Sequence, residues 1–148
     1  MTKVLFCHGA PDRLQAAAAW LMQYSVQKDA PAAAKVILVY VPDAEIAERF
    51  DRLLWTRTAT GFLPHCRVDS PLAAETPVLL ATRLEVLPHE ENLLNLSNEL
   101  PPGFSRFANL VEIISVDDPV RLPARERAKF YRDRGYAIQY RDLSTEPQ

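Results

Sequence analysis

Lys35-Val36-Ile37-Leu38-Val39-Tyr40-Val41 is apolar and β-branched almost throughout, and it stops at Pro42-Asp43. A strand with one face in water alternates polar and apolar residues. This stretch does not alternate, so it predicts a strand covered on both faces, as in a mostly parallel sheet. Its neighbours are then helices, because parallel strands need long crossovers. Pro42-Asp43 starts one of them: Ile46, Ala47, Phe50, Leu53 and Leu54 fall on one side and Glu45, Glu48, Arg49 and Arg52 elsewhere, in a pattern that runs to Trp55 and frays by Thr58.

Towards the amino end, Val4-Leu5-Phe6 reads as a first strand and Gly9-Ala10-Pro11-Asp12 as a turn. Asp12 is the expected N-cap of a helix to about Gln27, in which Leu14, Ala17, Ala18, Leu21 and Ser25 recur at helical spacing. Asp29 to Ala34 reads as a loop. Towards the carboxyl end, Thr58 to Thr76 carries Gly61, Pro64 and Pro71 with little periodicity. It predicts a long connection with one short extended piece at Gly61-Phe62-Leu63-Pro64-His65. Val78 to Ala81 and Asn92 to Leu96 read as short strands, Phe104 to Ala108 as a brief helical segment, and Leu110 to Val116 as a strong strand. A last helix is expected from about Pro119 to Arg134, with Asp118 as N-cap and Gly135 just past its end. Ala137 to Asp142 adds an edge strand.

This alternation predicts an α/β fold: a three-layer, Rossmann-like arrangement, a mostly parallel sheet with helices on both faces, forming a single domain over residues 1–143 with a frayed polar tail at 144–148. The 148 residues are 48% hydrophobic and 24% charged, which is the profile of a soluble globular chain. A net charge of −2 argues against a surface that grips nucleic acid all round, since such binding rests on many phosphate-neutralising cations. An anionic partner must therefore meet a local patch, and contact with DNA is expected to be indirect. Two distant cysteines and a start without a signal-like segment fit a cytoplasmic, reducing location. The longest apolar run, Val36 to Val41, is too short to span a bilayer.

Sheets of this kind often bind phosphates where a glycine-rich turn meets a helix. Gly9, Gly61, Gly103 and Gly135 are isolated, so no nucleotide-binding loop and no cofactor are expected. Cys7-His8 and His65-Cys66 form a mirrored pair with the ligand types of a zinc site or of an activated thiol. Neighbours in a dipeptide splay to opposite sides of a strand, which argues against one metal held by both pairs. A small thiol- or metal-dependent enzyme using Cys7, Cys66, His8 and His65 is the alternative reading; otherwise no catalytic group and no metal are expected. Asp117-Asp118 and Glu90-Glu91 read as turn and surface residues.

On the last helix Arg121, Arg125, Lys129 and Arg132 stand at steps of four, four and three, which places four cations within a quarter of the circumference. Ala124, Ala128 and Tyr131 fall on the adjoining arc, where two small residues leave a depression beside a ring. A solvated helix face is the plainer account. Like charges at i,i+4 cost a helix roughly a few tenths of a kcal/mol each, however, so a ridge of them points to an anionic partner such as an acidic peptide.

Three blocks carry a resemblance: Arg49-Phe50-Asp51-Arg52-Leu53-Leu54-Trp55, then Gly61-Phe62-Leu63-Pro64-His65, and later Ala124-Arg125-Glu126-Arg127-Ala128-Lys129-Phe130-Tyr131-Arg132 ending at Gly135-Tyr136. In order, spacing and total length the chain resembles the chi subunit of bacterial DNA polymerase III. The resemblance implies a non-catalytic accessory subunit in the clamp-loader complex of the replicase. Such a subunit receives the acidic C-terminal tail of single-stranded-DNA-binding protein on its last helix and links it to the psi subunit. By the same correspondence Arg121, Arg125, Lys129 and Arg132 would meet the tail's carboxylates, with Ala128, Tyr131 and Gly135 bordering the site. Ala128 stands where the family often carries a Tyr. Trp55, Phe62, Leu63 and Pro64 would form the surface for psi.

Overall fold

The structure is a computed structural model, and it describes residues 1–25, 36–57, 64–73, 76–84 and 90–144. The elements are β1 (Lys3–Ala10), α1 (Arg13–Ser25), β2 (Ile37–Tyr40), α2 (Ala44–Arg57), β3 (His65–Arg67), β4 (Val78–Ala81), β5 (Asn92–Asn95), a 3-10 turn (Phe104–Arg106), β6 (Asn109–Ser115), α3 (Asp118–Asp133) and β7 (Ala137–Asp142). The strands form one sheet in the order β3-β4-β2-β5-β6-β1-β7, and every pairing among the described residues is parallel. All four residues of β2 are buried, as its unalternating sequence requires.

The crossovers assign the helices to faces. From β1 to β2 and from β2 to β3 the chain travels towards one edge; from β6 to β7 it travels towards the other. A fixed crossover hand then places α1 and α2 on one face and α3 on the opposite one. Packing agrees. Ala17 and Leu21 of α1 and Phe50 and Leu54 of α2 bury against Cys7, Val39, Val111 and Ile113. Tyr131 of α3 buries with Phe104, Phe107, Val4, Leu38 and Leu110 on the other side, where Ala124 meets Phe6 and Ile114. The three-layer α/β architecture follows.

Local chemistry fixes the helix starts. Asp12 caps α1 by accepting from the Gln15 N–H at 2.9 Å, and Asp43 caps α2 by accepting from the Glu45 and Ile46 N–H groups at 2.9 and 3.1 Å. The start of α3 corrects the sequence reading by one residue. Its N-cap is Asp117, whose carbonyl accepts from the Arg121 N–H, and Asp118 and Pro119 are already helical. The carboxylate of Asp117 is not spent on the cap; it accepts from the Ser115 hydroxyl.

The long connection also holds a strand that the sequence reading did not place: β3 begins at His65, the last residue of the expected extended piece, and forms the sheet edge beside β4. Residues 61–63 lie outside the described residues, as do the loop expected near 29–34 and residues 145–148 of the expected tail. Ser144 is held, both its N–H and its hydroxyl donating to Asp142, and Leu143 is buried with its N–H donating to the His8 carbonyl at 2.7 Å.

Candidate functional site

Helix α3 presents two chemically distinct sides. Ala124, Arg127 and Tyr131, spaced by three and four, are buried against the sheet, and the four cations lie on the flank beyond Ala128, roughly a third of a turn away. Its end is held by Gly135 at φ +85°, with the Tyr136 N–H donating to the Tyr131 carbonyl and the Gly135 N–H to the Arg132 carbonyl. That pair of bonds is a Schellman closure, which needs a left-handed residue at this position.

Between α3 and strands β1 and β7 runs a groove of about 640 Å³. Phe6 and His8 of β1, Tyr140 of β7, Val116 and Ala128 line it, and Arg121, Arg125, Lys129 and Arg132 stand along it with Glu126 as the acid among them. Arg121 is tied to Asp118 at 2.6 Å, and Arg132 lies 3.9 Å from Asp133. Arg125 and Lys129 make no ion pair among the described residues. Val116 and Tyr140 are more than half exposed, so the cations border apolar surface open to solvent. Positive charge beside accessible apolar area suits a ligand with carboxylates and a hydrophobic end.

The ring in this groove is not the expected one. Tyr131 is fully buried, and its hydroxyl donates to Glu112 Oε2 at 2.7 Å. The step of three from Ala128 carries Tyr131 round towards the sheet, away from the cations. Gly135 shapes the helix end and does not line the groove. The exposed ring is Tyr140, and the sequence held a faint signal for it: in an edge strand of period two, Ile138 and Tyr140 share a face. The register that sets Tyr140 beside Phe6 was not readable.

Glu112 was hidden within an apolar strand. It is fully buried on β6 and pairs with Arg127, which donates through Nε at 2.9 Å and Nη2 at 3.0 Å. The Asn95 amide donates to the same carboxylate at 3.1 and 3.2 Å. Burial pulls the Arg127 guanidinium down, but the charge and hydrogen bonds of Glu112 outweigh it and leave it above its ordinary value. Burial and then the Glu112 charge push the Tyr131 phenol well above the usual range.

The second predicted surface lies at the opposite sheet edge. Trp55, at the end of α2, is 55% exposed, and its ring lies 4.9 Å from that of His65, whose Nε2 is 3.3 Å from Asp51 Oδ1. Pro64 is exposed beside it. Phe62 and Leu63 lie outside the described residues.

The structure separates the cysteine and histidine pairs. Cys7 is buried on the α1 face, Cys66 packs on the α3 face, His8 lines the groove and His65 lies under Trp55. Strands β1 and β3 are five steps apart in the sheet, which at about 4.8 Å per step is roughly 24 Å. One metal or one thiol–imidazole pair cannot draw on both dipeptides. The crevice at the carboxyl ends of the strands, about 570 Å³, is where doubly wound sheets take ligands. Here Asp12, Asp43 and Asp117 stand at the three helix starts, and Arg13 is engaged by the Ile113 and Ser97 carbonyls and by Asn98. At the starts of α1 and α2 the carboxylates of Asp12 and Asp43 hold the positions that an anion would take.

Residues 1–139 match the family described as "DNA polymerase III chi subunit, HolC". The chain is 37% identical over 107 residues to the DNA polymerase III subunit chi of Pseudomonas aeruginosa, covering 68% of this chain and 71% of that protein. It is 29% identical over 113 residues to the subunit chi of Haemophilus influenzae, covering 76% and 74%. The subunit chi of Escherichia coli K12 is 28% identical over 105 residues, covering 70% and 71%.

Proposed function

The chain belongs to the DNA polymerase III chi subunit family, and from that premise we propose that it is a non-catalytic adaptor of the replicase whose α3 groove binds the acidic C-terminal tail of single-stranded-DNA-binding protein. Its place is in the DNA polymerase III assembly, so its partners are proteins. One observation carries the reading: Arg125 and Lys129 make no ion pair among the described residues and stand over a groove whose floor holds Ala128 and the exposed ring of Tyr140. Cations without an internal ion pair have no salt bridge to break when a carboxylate arrives, and charge-assisted bonds to carboxylates are the stronger kind. The apolar floor accepts a hydrophobic terminal side chain. Trp55, exposed at the far edge, supports the second half of the proposal, a separate contact with the psi subunit. Two contacts on opposite edges tether the polymerase assembly to coated DNA by raising its local concentration.

Calorimetric titration with a peptide ending Asp-Ile-Pro-Phe tests the groove. Arg125→Ala and Lys129→Ala should each weaken binding by at least about 1 kcal/mol, and wild-type binding should fall as salt rises. Equal affinity for wild type and both variants removes the site. A bare oligonucleotide bound more tightly than the peptide would favour direct DNA contact instead. Trp55→Ala should abolish co-purification with psi while leaving peptide binding intact.

A further inference from the structure

Resting on that reading of the groove, we infer that the buried cluster of Glu112, Arg127 and Tyr131 is a positioning device: it sets the rotation of α3 about its own axis and so aims Arg125 and Lys129 at the ligand. Near the groove, α3 touches the sheet through short apolar side chains, Val120, Ala124 and Ala128, against Phe6 and Ile114. Methyl groups on a smooth apolar surface define a helix's distance from the sheet better than its roll. The bidentate pair is different, because a planar guanidinium and a planar carboxylate meet through two parallel hydrogen bonds in one orientation only. The Tyr131 hydroxyl, one turn further along α3, fixes a second point on the same carboxylate. Glu112 itself is held from β5 by Asn95, whose amide also donates to the Glu99 carbonyl at 3.1 Å.

Stability does not explain this arrangement well. Burying an ion pair in a sheet–helix interface gains little over apolar side chains of the same size. Here Nη1 of Arg127 is buried without a hydrogen-bond partner among the described residues, which is a further cost. What a buried polar cluster provides that an apolar one does not is a single orientation. Arg127 and Tyr131 lie on the side of α3 away from Arg125, Lys129 and Arg132, so a roll that moves one set moves the other by the same angle.

The experiment uses the full chain and the triple variant Glu112→Leu/Arg127→Met/Tyr131→Phe, which exchanges the cluster for apolar side chains of similar volume. We expect a melting temperature at or above that of wild type, with affinity for the acidic peptide reduced at least about tenfold. Nuclear Overhauser contacts between the Ala128 methyl and the Phe6 ring report the roll without any ligand, and they should weaken. Wild-type affinity together with unchanged contacts overturns the inference. If the triple variant does not fold, Arg127→Lys keeps the charge and loses the two-point fork; it should weaken both peptide binding and the Ala128–Phe6 contacts, and no change in either again overturns the inference. A wild-type protein that fails to bind the peptide overturns the reading of the groove, and the Ala128–Phe6 contacts then decide the positioning role alone.

Discussion

Tyr140 stands directly beside Phe6 in the parallel pairing of β7 with β1, their ring centroids 5.7 Å apart and the planes at 61°. Phe6 is buried and Tyr140 is 53% exposed, so the pair holds an aromatic face open at the floor of the groove. Tyr140→Ala should weaken an acidic peptide ending in Phe by about 0.5–1.5 kcal/mol, the usual worth of an aromatic pair. Calorimetry with a second peptide ending in Ala checks the cause, since the loss should nearly vanish there. An equal loss for both peptides would mean that Tyr140 acts on the backbone or the cations.

Breaking the buried pair one partner at a time has a different outcome from replacing the cluster. Glu112→Ala leaves Arg127 charged and buried with no carboxylate, and should cost about 3–5 kcal/mol in a denaturant titration. Arg127→Ala should cost a similar amount. A loss below about 1 kcal/mol in both would show that water reaches the site.

Two tyrosines make the protein sensitive to alkali. Burial, followed by the hydrogen bond to Glu99, pushes the Tyr40 phenol up to about 12, and Tyr131 is raised further. An unfolded tyrosine titrates near 10, so above that pH the unfolded chain releases phenolic protons that the folded chain keeps, and stability falls as pH rises. The contribution is fully present below about pH 10, and the part due to Tyr40 is lost on passing through about 12. Tyr131→Phe should make the decline between these values shallower, as measured by urea unfolding at stepped pH. Parallel curves for variant and wild type would contradict the assignment to Tyr131.

Two glycines with positive φ separate backbone strain from collision. A Cβ at Gly135 meets nothing within 4 Å, so Gly135→Ala should cost only the left-handed strain, about 1–2 kcal/mol. At Gly9, φ is +80° and a Cβ would lie 2.8 Å from Asp142 Oδ1 and 3.4 Å from the Ser144 Cβ, so Gly9→Ala should cost more. Equal melting temperatures for the two variants would show that the β7 end moves aside freely.

Much of the fold was legible in the sequence, because it depended on local periodicity. The unalternating Ile37–Tyr40 required cover on both faces, Asp12 and Asp43 announced helix starts, and Gly135 announced an end. The strand His65–Arg67 was not placed in that reading because three residues at a sheet edge carry too little pattern to locate. The cationic ridge was legible for the same local reason: four residues on one helix have fixed angles to one another.

The sequence by itself determined the layers, the parallel sheet and the line of positive charge, since each follows from a repeat within one segment. Tertiary structure alone decided what lies opposite that line. The parallel register of β7 on β1 brought Tyr140 and Phe6 together to floor the groove. The packing of α3 on β6 turned Tyr131 inward and gave Arg127 a buried carboxylate 15 residues away. Those partners come from separate elements, and no periodicity within one element encodes which residue of another will face it.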